Sequence, residues 1–129
     1  MGRARVIDGA RGMRGVVAWH RGMAAEETVA RHYSETGREI AARRWRGLFG
    51  EIDLIAREGE EVVFIEVKSA STHARAAERL SRRQQLRIYG AAEEFLAGEP
   101  RGMLTISRFD VALVDASGRI EVIENAFAA

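Results

Sequence analysis

The stretch Glu51-Ile52-Asp53-Leu54-Ile55-Ala56-Arg57-Glu58-Gly59-Glu60-Glu61-Val62-Val63-Phe64-Ile65-Glu66-Val67-Lys68 decides how this chain is read. Two apolar, strand-forming runs, 49–57 and 61–69, flank the turn-forming Glu58-Gly59-Glu60-Glu61. They are predicted to pair as an antiparallel hairpin centred on Gly59-Glu60. Residues equidistant from that centre then oppose one another. Asp53 faces Glu66, Glu51 faces Lys68, Ile52 faces Val67 and Leu54 faces Ile65. Directly opposed side chains share one face of a sheet. This register therefore gathers the acids and the amine on one surface and the aliphatics on the other. A slip of one residue would mix the two sets, so the hydrophobic pattern favours this pairing.

Like charges directly across two strands destabilise a sheet, so Asp53 opposite Glu66 calls for a partner. A hard divalent cation supplies one. Mg²⁺, with Mn²⁺ as a substitute, takes one or two carboxylates and completes its shell with water and substrate phosphate. Lys68 points to the same side, placed to assist an attacking water or to offset charge growing on a phosphoryl group. The competing reading is a plain ion-pair cluster, which contributes about 0–1 kcal/mol when exposed. Lys68 is also the single lysine among twenty basic residues. An amine is a compact charge with a tunable pKa, whereas arginine is a permanently charged fork.

The remainder of the chain sets bounds. Its 129 residues, 47 % apolar, suit one domain with a modest core. With no cysteine, disulfides and zinc-thiolate sites are excluded. The net charge of +1 means that nucleic-acid binding would rest on local patches. No apolar run approaches the ~20 residues of a membrane span. Arg11, Arg14 and Arg21 interrupt what would be a signal peptide. A cytoplasmic protein without membrane contact is the expectation.

Residues 1–21, with Arg3, Arg5, Arg11, Arg14, Arg21 and four glycines, read as a flexible basic arm. Residues 22–129 read as the single folded domain. Ala25, Val29, Ala30 and Tyr33 predict a helix over 22–37. A short basic strand follows at 39–46, and residues 70–80 read as irregular or a short helix. Ser81-Arg82-Arg83-Gln84 has the form of a capping box and opens a helix to about Ala97. Leu86, Ile88, Tyr89, Ala92, Phe95 and Leu96 form its apolar face. Strands follow at 103–115 and 119–125 around Ser117-Gly118. The order predicts an α/β domain, a mixed sheet flanked by helices.

Arg43, Arg44 and Arg46 form one basic cluster. Arg75, Arg79, Arg82, Arg83 and Arg87 form another. Each is a phosphate-tracking candidate or an ordinary solvated face. Gln85 and Tyr89 share a helix face. Gln85 suits a phosphate or a metal-bound water, and Tyr89 suits a strand acid or the core. His20, His32 and His73 have no ligand spacing.

Gly50-Glu51-Ile52-Asp53-Leu54-Ile55, Val63-Phe64-Ile65-Glu66-Val67-Lys68 and Arg108-Phe109-Asp110-Val111 together resemble the YraN-like family of bacterial proteins. That family is similar to archaeal Holliday-junction resolvases of the PD-(D/E)XK, restriction-endonuclease-like superfamily. The resemblance covers about residues 22–127. It implies a three-layer restriction-endonuclease-like fold, with Asp53, Glu66 and Lys68 in catalytic positions. It also implies metal binding by Asp53, Glu66 and the Val67 carbonyl. A helix acid completing the site is implied too, with Glu27 the best fit to a Glu-x-x-Ala-x-x-Tyr pattern and Glu26 the neighbouring alternative. Arg43, Arg44, Arg82, Arg83 and Gln85 are the candidates for nucleic-acid contact, with Glu51 and Tyr89 in support. Ser69-Ala70-Ser71 departs from the family, which often carries a basic residue there, and Arg83 stands where a lysine is usual. The function implied is a Mg²⁺-dependent endonuclease acting on DNA, branched or damaged DNA included, with a homodimer as the assembly. The alternatives are a catalytically weak nucleic-acid-binding module of the same fold, and a structural protein with a salt-bridged sheet.

Overall fold

The computed structural model describes residues 9–77 and 80–127, with side chains from residue 22 onward. Helix α1 (Gly9–Glu35) leads into strands β1 (Glu39–Arg46), β2 (Glu51–Glu58) and β3 (Glu61–Ser69). A short helix α2 (His73–Ala77) and helix α3 (Arg82–Ala97) follow. Strands β4 (Ser107–Val114) and β5 (Ile120–Phe127) close the chain. The backbone of α1 thus extends well before residue 22, into the segment read as an arm; residues 1–8 lie outside the described residues.

The five strands form one sheet in the order β1-β2-β3-β4-β5. Only β3 and β4 run parallel, because α2 and α3 carry the chain across between them. Helix α1 covers one face, where Val29, Ala30 and Tyr33 pack with Leu54, Ile65 and Ala112. Helix α3 covers the other, where Ile88, Ala91 and Leu96 pack with Ile55, Phe64 and Phe109. The Phe64, Phe109 and Phe127 rings stack at 5.3 and 5.1 Å between centroids. This three-layer α/β architecture is consistent with a restriction-endonuclease-like fold.

The hairpin register matches the sequence expectation over the rungs it forms, while the expected pairs Ile52–Val67, Asp53–Glu66 and Glu51–Lys68 lie beyond the last rung. The β2–β3 ladder runs from Glu58↔Glu61 to Leu54↔Ile65, around Gly59 at φ +62°, a conformation glycine adopts without strain. The expected sorting of faces fails at one point. Leu54, Ile65 and Val67 face α1, but Ile52 joins Ile55 in the α3 cluster. Ala42 and Trp45 of β1, also three residues apart, pack on that same cluster. Residues three apart in a regular strand point to opposite faces, so both strands lose alternation at the same place. There Arg44 has φ +50°, a left-handed conformation uncommon for a residue with a side chain. Ile52 is thus not part of the α1-facing aliphatic set.

Leu86, expected in the apolar face of α3, is 54 % exposed; Ile88, Ala91, Ala92 and Leu96 are the buried residues. A buried polar group ties the layers together instead. Asp110 is fully buried. It accepts from Tyr33 Oη at 2.8 Å, from Arg108 Nε at 3.0 Å and from the Asn125 N–H at 3.0 Å. Burial and the adjacent Asp110 carboxylate push the Tyr33 phenol upward. Among the described residues, no helix is long and apolar enough to cross a membrane.

Candidate active site

Where the β2–β3 ladder ends, the two strands give way to side-chain chemistry. Asp53 is the residue next to the last rung. Its Oδ2 accepts the Val67 backbone N–H at 2.8 Å, so a carboxylate takes a strand's place beside β3. Glu66 and Lys68 alternate with Val67 along β3. Both lie on the α3 side with Val62 and Phe64, as the period of two requires. Lys68 Nζ sits 3.1 Å from Glu66 Oε2. All three ionisable groups are buried: Asp53 at 2 %, Glu66 at 4 % and Lys68 at 8 % exposure. An exposed ion-pair cluster is therefore not what the fold builds here.

Helix α3 reaches the same place through its first turn. Ser81 caps it, its hydroxyl accepting from the Gln84 N–H at 3.1 Å. In a capping box the residue at Gln84 would reach back to the cap backbone. Gln84 instead donates Nε2–H to Glu66 Oε2 at 2.5 Å. The site residue from this helix is thus Gln84, one position before the expected Gln85. Gln85 Oε1 accepts from Arg82 at 3.5 Å.

Helix α1 contributes Glu26. Its Cα lies three and four residues before Val29 and Ala30, on the buried stripe, and its side chain is 6 % exposed. Glu27 is turned outward, where it pairs with Arg43 at 2.9 Å, both side chains more than half exposed. The acid that α1 brings to Asp53 is therefore Glu26. The left-handed backbone at Arg44 accompanies a bond to this acid: Arg44 Nε donates to Glu26 Oε1 at 2.9 Å. Arg44, expected among the nucleic-acid contacts, is partly buried and serves as a counter-ion to Glu26. Glu51, expected opposite Lys68, pairs with Arg46 at 3.2 Å and lies close enough to raise the Glu26 pKa.

The electrostatics follow from burial. Desolvation first, then the adjacent Glu66 charge, holds the Asp53 carboxyl well above the usual carboxylate range. Glu66 is raised by desolvation, an effect opposed by the Lys68 charge. Glu26 is raised by desolvation and by Asp53, against the pull of Arg44. Two carboxylate oxygens here, Glu66 Oε1 and Glu26 Oε2, are buried without a hydrogen-bond donor. Buried acceptors are rarely left so.

These oxygens test the fit of a cation. Among the described residues, no three His, Cys, Asp or Glu side chains form a ready-made cage. Mg²⁺ does not require one, because it keeps several waters and binds through one or two carboxylates plus phosphate. Asp53 and Glu66, with Glu66 Oε1 undonated, suit that mode. The Val67 carbonyl projects from β3 to the same side as its N–H, toward Asp53.

The other expected residues lie around this centre. Arg82 and Arg83 stand exposed at the start of α3, with the Arg82 guanidinium 6.0 Å over the Tyr89 ring. The Tyr89 ring packs on Phe109 and Phe127 at 5.2 and 5.6 Å, so it belongs to the aromatic core. Arg79 lies outside the described residues.

Comparison with known proteins places the chain. The profile of the uncharacterised protein family UPF0102 matches residues 25–114, a span that includes Glu26, Asp53, Glu66, Lys68 and Gln84. A UPF0102 protein of Cereibacter sphaeroides is 74 % identical over 91 % of this chain and 100 % of its own length. One of Ruegeria pomeroyi is 60 % identical over 82 % of this chain and 86 % of its own. One of Roseobacter denitrificans is 51 % identical over 87 % of each. The chain belongs to the UPF0102 family, the YraN-like family that its motifs resemble.

Proposed function

We propose that this protein is a Mg²⁺-dependent endonuclease that hydrolyses phosphodiester bonds in DNA. The observation that carries the reading is the buried trio of Asp53, Glu66 and Lys68, in which Glu66 Oε1 has no donor while Oε2 holds the lysine. A purely structural ion pair would need neither the orphan oxygen nor a second buried carboxyl beside it.

Asp53, Glu66 and the Val67 carbonyl would hold the cation, which when bound supplies charge neutralisation at the scissile phosphate and an acidified water. Lys68 is fixed by Glu66 and has two further ammonium protons to offer a water or a non-bridging phosphate oxygen. Gln84 orients Glu66 from behind, the part a supporting shell plays at metal sites. Glu26, its Oε2 buried and without a donor, would accept from a water held beside Asp53. Arg82 and Arg83 flank the site on the helix end whose dipole favours anions.

The test is cleavage of linear, single-stranded and four-way-junction DNA with Mg²⁺ or Mn²⁺. Wild type should cut at least one of these, while Lys68→Ala and Asp53→Ala should not. Binding without cleavage by wild type would turn the assignment to a nucleic-acid-binding module. Cleavage that survives both substitutions would remove the site from the account.

A further inference from the structure

We infer that Glu94 is a positioning residue of the candidate metal site: from the C-terminal half of α3 it clamps the β1–β2 turn, and through that turn it holds Asp53 against Glu66. The inference rests on the proposed nuclease reading, because it concerns the same two carboxylates.

The start of β2 is the weakly held part of the site. The β2–β3 ladder ends at Leu54↔Ile65. Before Leu54, β2 meets β3 through the bond from the Val67 N–H to Asp53. On its other side β2 pairs with β1 through Trp45↔Ile52 and Arg46↔Glu51. That neighbour is an edge strand and carries the left-handed backbone at Arg44. Asp53 and Glu66 also repel one another when charged. Two carboxylates that must stay close enough to share one ion have to be held by the structure around them.

Helix α3 supplies that hold. The Glu94 carboxylate accepts the Leu48 N–H at 2.7 and 2.9 Å and the Phe49 N–H at 3.2 Å. Hydrogen bonds to an ionised acceptor are about twice as strong as neutral ones. Glu27, Glu51 and Glu99 each hold an arginine. Among the described residues Glu94 pairs with no basic side chain, so its charge is directed to the two backbone donors. The Gly47 N–H donates to Gly50 O at 2.9 Å and closes the turn. The turn also lies directly against the helix. A Cβ at Gly90 would come 2.8 Å from Phe49 Cβ, and one at Gly50 would come 3.2 Å from the Arg87 backbone. Strand β2 follows Gly50 at once, so little chain separates the clamped turn from Asp53.

The same helix holds the other carboxylate. Gln84, in its first turn, donates to Glu66 Oε2. Roughly 15 Å further along the axis, Glu94 fixes the turn that leads to Asp53. A helix is a stiff spacer, so the two contacts set where Asp53 lies relative to Glu66. Glu94 touches neither ion nor phosphate; it acts through the backbone of residues 47–50.

The test is calorimetric titration of the full chain with Mn²⁺, beside thermal unfolding in EDTA. Glu94→Ala should weaken Mn²⁺ binding about 10–100-fold, as losing a supporting contact does at metal sites, while staying folded at the titration temperature. Glu94→Gln keeps an acceptor for the turn and should restore most of the affinity. Glu93→Ala removes the same charge from the exposed neighbouring position and should bind as wild type does. Should Glu94→Ala fail to fold, Gly90→Ala carries the test, because its methyl group displaces the turn and leaves Glu94 in place. Its affinity should fall likewise. Wild-type affinity in folded Glu94→Ala, or in Gly90→Ala where that variant stands in, overturns the inference. So does an equal loss in Glu93→Ala, which would trace the effect to charge alone. In both cases wild type still binds Mn²⁺ and the nuclease reading stands. Wild type that binds no Mn²⁺, with or without DNA, overturns both readings.

Discussion

The Val67 backbone N–H donates to Oδ2 of Asp53 at 2.8 Å, so a carboxylate occupies the position where a strand rung would otherwise form. That bond holds Asp53 against Glu66 despite their like charges, and it survives replacement by a neutral amide. Asp53→Asn is therefore expected to stabilise the metal-free protein, on the order of 1–3 kcal/mol. It should also abolish any rise in melting temperature on adding Mg²⁺ or Mn²⁺. Thermal unfolding of both proteins with EDTA and with excess cation reads both effects.

The raised carboxyls fix the sign of a pH dependence. Asp53, Glu66 and Glu26 all titrate above the usual carboxylate range because they are buried. Below the unfolded values, about 4, both states are protonated and the full stabilisation is present. As pH rises toward the folded values, the native state holds more protons than the unfolded one, so stability falls. In EDTA, melting temperature should decline from mildly acidic toward neutral and alkaline pH. Asp53→Asn should flatten the decline. A wild-type melting temperature that stays level or climbs over that range would count against the buried carboxyl pair.

Gln84→Ala removes the amide that orients Glu66 and leaves the Ser81 cap in place, because the cap uses the Gln84 backbone. Losing such an outer contact typically weakens a metal site about 10–100-fold. The expectation is weaker cation binding with little change in unfolding temperature. Gln85→Ala should change neither, and calorimetric titration with Mn²⁺ separates the two variants.

Tyr33→Phe strips one donor from the buried Asp110, and its cost should be about 1–3 kcal/mol. Cation binding and DNA cleavage should be unaffected, because this network ties α1 to β4 and the site does not use it. Chemical denaturation beside a cleavage assay checks the separation. The result would mark Arg108-Phe109-Asp110 as an element of architecture.

The hairpin and its acids were legible in the sequence because a period of two and a glycine turn leave one sensible register. The loss of alternation at Arg44 and Asp53 was not. It requires a left-handed arginine, stabilised by a buried Glu26 that only the docking of α1 supplies. The choice between Glu26 and Glu27 was open to helical phase. Glu26 lies three, four and seven residues before Val29, Ala30 and Tyr33, all core residues, whereas Glu27 precedes the exposed Arg31 by four. Motif spacing pointed to Glu27, which the fold turns outward to Arg43. Gln84 was hidden because a capping box accounts for it locally, and its second partner arrives from β3. Leu86 fitted the apolar stripe of α3 yet lies beyond the edge of what the sheet covers.

The central claim is that Asp53 and Glu66 hold a divalent cation for phosphodiester chemistry. Its most direct test is the electron paramagnetic resonance signal of free Mn²⁺ titrated with protein. Wild type should quench the signal with about one tight ion per chain, as an open two-carboxylate site requires, and Glu66→Gln should leave it near full intensity. Quenching that is equal in the two proteins, or absent from wild type with and without DNA, would contradict the account.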